Sequence, residues 1–228
     1  MTSTATDTQT QNTARRTKSS VEKNDLNSSS LLKKGEHLYR MGDELQGIYL
    51  VDVGAIKLYR VTESGDQQII GFYMAGDVIG LDALPDNVSR SMAVALDTSR
   101  VTLLPFNTLL AGNEKINAQE LIRKMGQTLN HDNDLIMMPS QRTAERRLAW
   151  FLVEFSDSMA RRRMSPTEFS LPMSRTDIAV FLGLALETVC RELARFSDSG
   201  LIKKGHRKFS LLNLETLRHL VNGDEIHH

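Results

Sequence analysis

Between Ser174 and Leu193 the chain reads SRTDIAVFLGLALETVCREL, and few folds accommodate such a run. Ser174 and Asp177 stand in capping-box spacing, each able to accept from the other's backbone N–H, so a helix starts there. Ile178, Phe181 and Leu182 give it one apolar face. Gly183 supplies the positive φ with which a chain leaves a helix, and a second helix is predicted from about Leu186 after a three-residue turn. At roughly 100° per residue, Val189, Leu193 and Phe196 gather on one side of that second helix, while Glu187, Cys190, Arg191 and Ala194 gather on the other. This spacing predicts a helix-turn-helix.

The outward side has a chemistry of its own. An arginine near the start of such a helix can donate two hydrogen bonds to guanine O6 and N7, and a glutamate can accept from cytosine N4. Arg191 and Glu187 are therefore candidates for base contacts in a major groove, with Thr188 and Cys190 beside them. The competing reading is an i,i+4 ion pair between Glu187 and Arg191 on a solvated face. The formal net charge is zero, which argues against a uniformly basic nucleic-acid binder. That zero is a cancellation: residues 41–139 carry −6 and residues 140–210 carry +5, and the basic end raises the nucleic-acid question. Ser174, Arg175 and Arg195 join the candidate DNA contacts, and KKGHRKF from Lys203 reads as a two-stranded wing whose cations could meet phosphates.

Upstream, the pattern divides into three. Residues 1–30 are rich in Ser, Thr, Asn and Gln with almost no large apolar side chains, and are expected to form a disordered arm. Residues 31–112 carry short β-rich runs (GIYLV, AIKLYRV, QQIIGFYM, RVTLLPF) punctuated by Gly42, Gly54, Gly65 and Gly76, which predict a compact antiparallel β-roll or jelly roll. Residues 113–138 are helical in pattern: Ile122, Met125, Leu129 and Ile136 fall three, four and seven apart, with Asp132 between the last two. That is the seam of a dimerisation helix, or else a helix packed on its own domain. Residues 139–228 hold the DNA-binding region, opening with AERRLAWFLVEFSDSMARRRM, where Arg161 to Arg163 read as a solvated helix end. The fold class is α+β.

Several function classes fall away. One cysteine forms neither an intrachain disulfide nor a cysteine-built metal centre. No apolar run reaches 18 residues and no secretory apolar core follows the N-terminus, so a cytoplasmic protein with no membrane partner is expected. No Ser/His/Asp set, HExxH or P-loop is present, and a non-enzyme is expected. His37 and His131 are of a type that ligates haem, though satisfied or solvent-facing histidines are the simpler expectation and no haem is expected.

The stretches GDELQGIYLVDVGAIKLYRVTESGDQQIIGFYMAGDVIGLDAL, AERRLAWFL and SPTEFSLPMSRTDIAVFLGLALETVCRELARFSDSGLI together resemble the CRP/FNR family of bacterial transcription regulators, its FNR branch above all, across most of residues 35–202. The resemblance implies a cyclic-nucleotide-binding-like β-roll that senses a signal, a dimerisation helix, and a winged helix-turn-helix. It implies a homodimer on double-stranded promoter DNA, at a palindrome of TTGA-like half-sites, with surface loops touching RNA polymerase. In the family's E-x-x-S-R pattern Glu187 and Arg191 match, and Cys190 takes the place of the serine. The branch's N-terminal cysteines are absent and Thr102 stands where its β-roll cysteine would lie, so no iron–sulfur cluster is expected. The phosphate-binding Arg-Ser pair of the cyclic-AMP branch is echoed by Arg90 and Ser91, but Leu81 replaces its ribose-binding glutamate, and His131 and Asp132 replace the Thr-Ser of its dimer helix. Cyclic AMP is not expected as effector; a roll that takes a cyclic nucleotide or another small ligand around Arg90 and Ser91 is the alternative.

Overall fold

The computed structural model describes residues 28–109, 118–136, 143–205 and 208–222, with the side chains of 128–136 and Lys204 outside that description. The N-terminal arm expected over residues 1–30 lies almost wholly outside it.

Two four-stranded antiparallel sheets make up the first half. One has the order β1 (Ser29–Leu32), β8 (Ser99–Pro105), β3 (Gly47–Val53), β6 (Val78–Ile79); the other has β2 (His37–Tyr39), β7 (Met92–Ala95), β4 (Ala55–Val61), β5 (Gln67–Met74). Side chains alternate across a strand, so Ile56 and Leu58 of β4 turn inward to meet Val51, Ile79 and Val101 of the facing sheet. Lys57 turns the other way, and Arg60, two residues beyond Leu58, follows the inward side to the mouth of a cleft in the roll. Gly47 sits where a Cβ would collide with the Leu104 backbone carbonyl, so the close approach of β3 to β8 requires a residue without one. This is the expected β-roll.

α1 (Ala118–Ile136) follows the roll and leans on it. Leu121 is buried with Ile48, Val78, Leu104 and Leu109, and Met125 packs at the edge of that cluster. α2 (Ala144–Arg161) starts where the Thr143 side chain accepts from the Arg146 N–H. α3 (Arg175–Leu182), α4 (Leu186–Asp198) and α5 (Leu214–Asn222) complete the helical half. They are joined by a three-stranded sheet in the order β10 (Ile202–Lys204), β11 (Phe209–Leu211), β9 (Glu168–Phe169). β10 and β11 are the expected wing; its tip, His206 and Arg207, lies outside the described residues.

The two halves share one apolar cluster. Ala55 and Leu96 of the roll are buried together with Leu148, Phe151, Ile178, Leu193 and Phe196 of the helical half. Phe72 of β5 lies 5.2 Å, centroid to centroid, from Phe181 of α3 and 6.3 Å from Phe151 of α2. Arg162, expected on a solvated helix end, is a correction. Its Nε donates to the Ala75 carbonyl over 3.0 Å and its guanidinium pairs with Asp77. The end of α2 abuts the β5–β6 turn, where a carbonyl and a carboxylate converge on it.

Candidate nucleic-acid interface

α3 starts with a complete capping box. The Asp177 N–H donates to Ser174 Oγ over 3.0 Å and the Ser174 N–H donates to Asp177 Oδ2 over 3.0 Å. The helix ends on Gly183 at φ +62°, a conformation that costs glycine nothing, and the Leu184 N–H returns to the Ala179 carbonyl. From α2, Arg147 Nη1 donates to the Leu182 carbonyl over 3.0 Å, clamping the turn between the two helices. Arg147 was not singled out in the sequence, because nothing in a helical pattern marks which arginine will find a helix C-terminus.

α4 presents the two faces that its sequence requires. Val189, Leu193 and Phe196 are buried, Glu187 and Arg191 are exposed, and Thr188, Cys190 and Ala194 lie between. The i,i+4 ion pair between Glu187 and Arg191 is not formed. Instead Arg191 Nε lies 3.6 Å from Glu192 Oε1. Glu192 is 5% exposed and its Oε2 accepts from Arg195 Nη1 over 2.8 Å; Arg195 Nη2 also lies 3.6 Å from Glu145 Oε1 of α2. Neither glutamate was picked out in the sequence. The signal for Glu192 was its position, three residues after Val189 and four before Phe196, on the apolar side of the helix.

The remaining candidates divide. Ser174 and Arg175 are exposed at the start of α3, the serine hydroxyl already engaged within the cap. Lys203 and Lys208 are exposed on the wing. Asp177 also reaches the roll, where Lys57 Nζ donates to its Oδ1 over 2.6 Å. Burial pushes the Asp177 carboxyl up, but hydrogen bonds from Lys57 and Ser174 outweigh that and hold it below 3.8.

On α1, Ile122 is 68% exposed while Met125 is partly used by the roll's own cluster. The side chains of Leu129, His131, Asp132 and Ile136 lie outside the described residues. The face carrying Leu121 and Met125 packs within the chain and the face carrying Ile122 does not.

Arg90 and Ser91 are held by their own loop. The Arg90 guanidinium pairs with Asp86 at 2.7 Å and donates to the Asp82 and Val88 carbonyls. The Arg90 N–H and the Ser91 hydroxyl both donate to Asp82 Oδ2 over 2.9 Å. Arg60, Tyr73, Leu81, Asp82, Ser91 and Met125 line an adjacent cleft of about 290 Å³, so an anion bound against Ser91 would meet the Asp82 carboxylate, with Arg60 the cation of the lining. Thr102 is fully buried and its hydroxyl donates to Asp52 over 2.6 Å; the chain's one cysteine is on α4. This donor set does not fit a four-thiolate iron–sulfur cluster. His37 Nε2 is 2.9 Å from the Tyr59 hydroxyl; burial first, then Arg40 and Lys57, hold its pKa below 6.5. Among the described residues no group of three or more His, Cys, Asp or Glu could hold a metal ion, and no helix is long and apolar enough to cross a membrane.

Residues 30–111 match the cyclic nucleotide-binding domain and residues 146–220 the Crp-like helix-turn-helix domain. The fumarate and nitrate reduction regulatory protein of Escherichia coli K12 is 41% identical over 191 residues, 83% of this chain and 76% of that protein. The corresponding protein of Klebsiella oxytoca is equally similar. FixK2 of Bradyrhizobium japonicum is 31% identical with a TM-score of 0.74, over 89% of this chain and 99% of that one. A transcriptional regulator from Thermus thermophilus, 21% identical over 87% of this chain and 100% of its own, shares the fold with a TM-score of 0.66.

Proposed function

The chain belongs to the CRP/FNR family of transcription regulators, and on that premise we propose that it binds a palindromic promoter site as a homodimer, with the outward face of α4 in the major groove. The observation that carries this reading is the exposure of Glu187 and Arg191 on one side of a helix whose other side is buried in a capped, clamped helix-turn-helix. With no ion pair between them, the carboxylate is available to cytosine N4 and the guanidinium to guanine O6 and N7 of one G·C pair. Thr188 and Cys190 flank them, and Ser174, Arg175, Arg195, Lys203 and Lys208, all exposed, are the groups offered to phosphates. The two half-sites of a two-fold dimer lie about one helical turn, or a multiple of it, apart.

Ile122 supports the dimer: an exposed isoleucine on α1, beside the face packed on the roll, fits a seam between two copies. RNA polymerase is the further partner that the family suggests, in the cytoplasm. A small-ligand signal in the roll is the second reading: Asp82 and Asp86 occupy Ser91 and Arg90, and Arg60 is the cation that lines the cleft beside them. No iron–sulfur cluster, cyclic AMP or haem enters the proposal. Fluorescence anisotropy with a labelled palindrome of TTGA-like half-sites is the test. Tight binding is expected there, with a loss of affinity when the G·C pair of each half-site is inverted; equal affinity for scrambled DNA of the same length would overturn the reading.

A further inference from the structure

Glu192 has no obvious reason to be acidic. It lies on the side of α4 that buries Val189, Leu193 and Phe196, and a leucine would fill such a position without desolvating a charge. A carboxylate is kept there only if cations reach it, and two do: Arg195 Nη1 donates to Oε2 over 2.8 Å and Arg191 Nε stands 3.6 Å from Oε1. Both arginines keep most of their side chain in solvent, at 63% exposed for Arg191 and 57% for Arg195. One buried carboxylate therefore lies between two outward guanidinium groups, meeting Arg195 at a terminal Nη and Arg191 from the Nε side.

The atoms involved decide what this does. A guanidinium carries five N–H groups in a rigid plane, one on Nε and two on each Nη. Readout of guanine uses two of them in parallel. Glu192 approaches Arg191 from the Nε side, which leaves the terminal Nη groups uncommitted to it. We infer that Glu192 is a positioning residue for base readout: it holds the Arg191 guanidinium by its Nε edge so that the Nη groups point away from the helix, toward a guanine. This rests on the reading above that Arg191 contacts a base. Glu192 itself is buried beneath the contact surface and touches no DNA. Arg195, bound by Glu192 on one side and approached by Glu145 of α2 on the other, ties the same carboxylate to the helix that clamps the turn.

The test separates positioning from folding. Glu192→Leu replaces a buried ionised group with an apolar one of similar volume and is expected to keep or raise the melting temperature. Removing a negative charge near DNA also strengthens binding to any sequence, so the readout is a ratio: affinity for the palindrome over affinity for the same palindrome with its G·C pairs inverted. That ratio is expected to fall about two- to tenfold, the range for immobilising one rotamer-rich side chain. In an Arg191→Ala background the same substitution is expected to leave the ratio unchanged. Glu192→Gln, which retains an oxygen acceptor, is expected to restore part of it.

Three results would count against the inference. An unchanged ratio in Glu192→Leu, with Arg191→Ala still lowering it, overturns the role of Glu192 alone. An equal fall in both backgrounds makes Glu192 a structural residue. If Arg191→Ala itself leaves the ratio intact, the base-contact reading fails first and the role of Glu192 falls with it.

Discussion

Lys57 of the roll and Asp177 of α3 form an ion pair of 2.6 Å with both side chains largely buried, at 12% and 16% exposed. The same aspartate closes the capping box of the first helix of the helix-turn-helix. One carboxylate thus serves a local task and a long-range one. Lys57→Met removes a charged hydrogen bond, worth roughly 1.5–3 kcal/mol, and leaves the cap intact, so thermal stability is expected to drop by about that amount while α3 stays formed. Hydrogen exchange resolved by residue checks this: faster exchange confined to α3 and its contacts with β5 supports it, and an unchanged melting temperature contradicts it.

The same pair sets an acid limit. The folded-state pKa of Asp177 lies below its ordinary value of 3.8, so its contribution is fully present above pH 3.8 and is lost as the pH falls through the folded value. Asp177→Asn is expected to flatten the stability profile below about pH 4 relative to the parent, measured by denaturant unfolding at fixed pH. Parallel profiles would mean the shift has no thermodynamic weight.

Arg191→Ala is expected to cost roughly 1–3 kcal/mol of specific affinity, the worth of a bidentate base contact. Binding to unrelated DNA changes much less. Titrations at several salt concentrations distinguish the roles, because a phosphate contact would also reduce the salt slope by about one.

Ile122→Asp places a charge on the exposed face of α1. Burial of an isoleucine side chain stabilises by roughly 1.5–3 kcal/mol, and a two-fold seam would bury two copies, so dimer dissociation is expected to rise by at least about tenfold. Sedimentation equilibrium reads it directly. An unaltered dimer would put Ile122 outside the seam. Asp132, which the spacing puts between Leu129 and Ile136 in that seam, lies among side chains outside the described residues.

Cys190 lies half-buried between the two proposed base contacts. Oxidation or a glutathione cap adds bulk and charge at that surface, so peroxide is expected to weaken DNA binding by the parent and to leave Cys190→Ser unaffected. The alternative is a small inert residue in the place of a serine, and an identical response of both proteins would establish it.

What the sequence disclosed follows from the range over which each interaction acts. The capping box, the Gly183 turn and the two faces of α4 are set by residues within one or two turns of each other, and all could be read from spacing. So could β3, β4, β5 and β8, whose alternation is long enough to count. β9 and β6 are two residues each, too short to show any period. Arg147, Arg162 and Lys57 could not be placed because their partners lie 35, 85 and 120 residues away along the chain. Arg191 meets Glu192 rather than Glu187, its neighbour four residues back, because helical spacing alone does not show which carboxylate lies beneath a long side chain.

Because Ala55 and Leu96 of the roll are buried in the same cluster as Leu148, Ile178 and Phe196, the boundary between the two regions is a boundary in topology and not in cooperativity. Neither region can open without exposing apolar surface belonging to the other, so the two should melt in one calorimetric transition. Mass action then carries a signal across: a promoter duplex that binds only the folded chain raises the melting temperature of the whole, including strands far from any base. The chain's single tryptophan, Trp150, stacks on Phe181 inside this cluster, and its emission would report both regions at once.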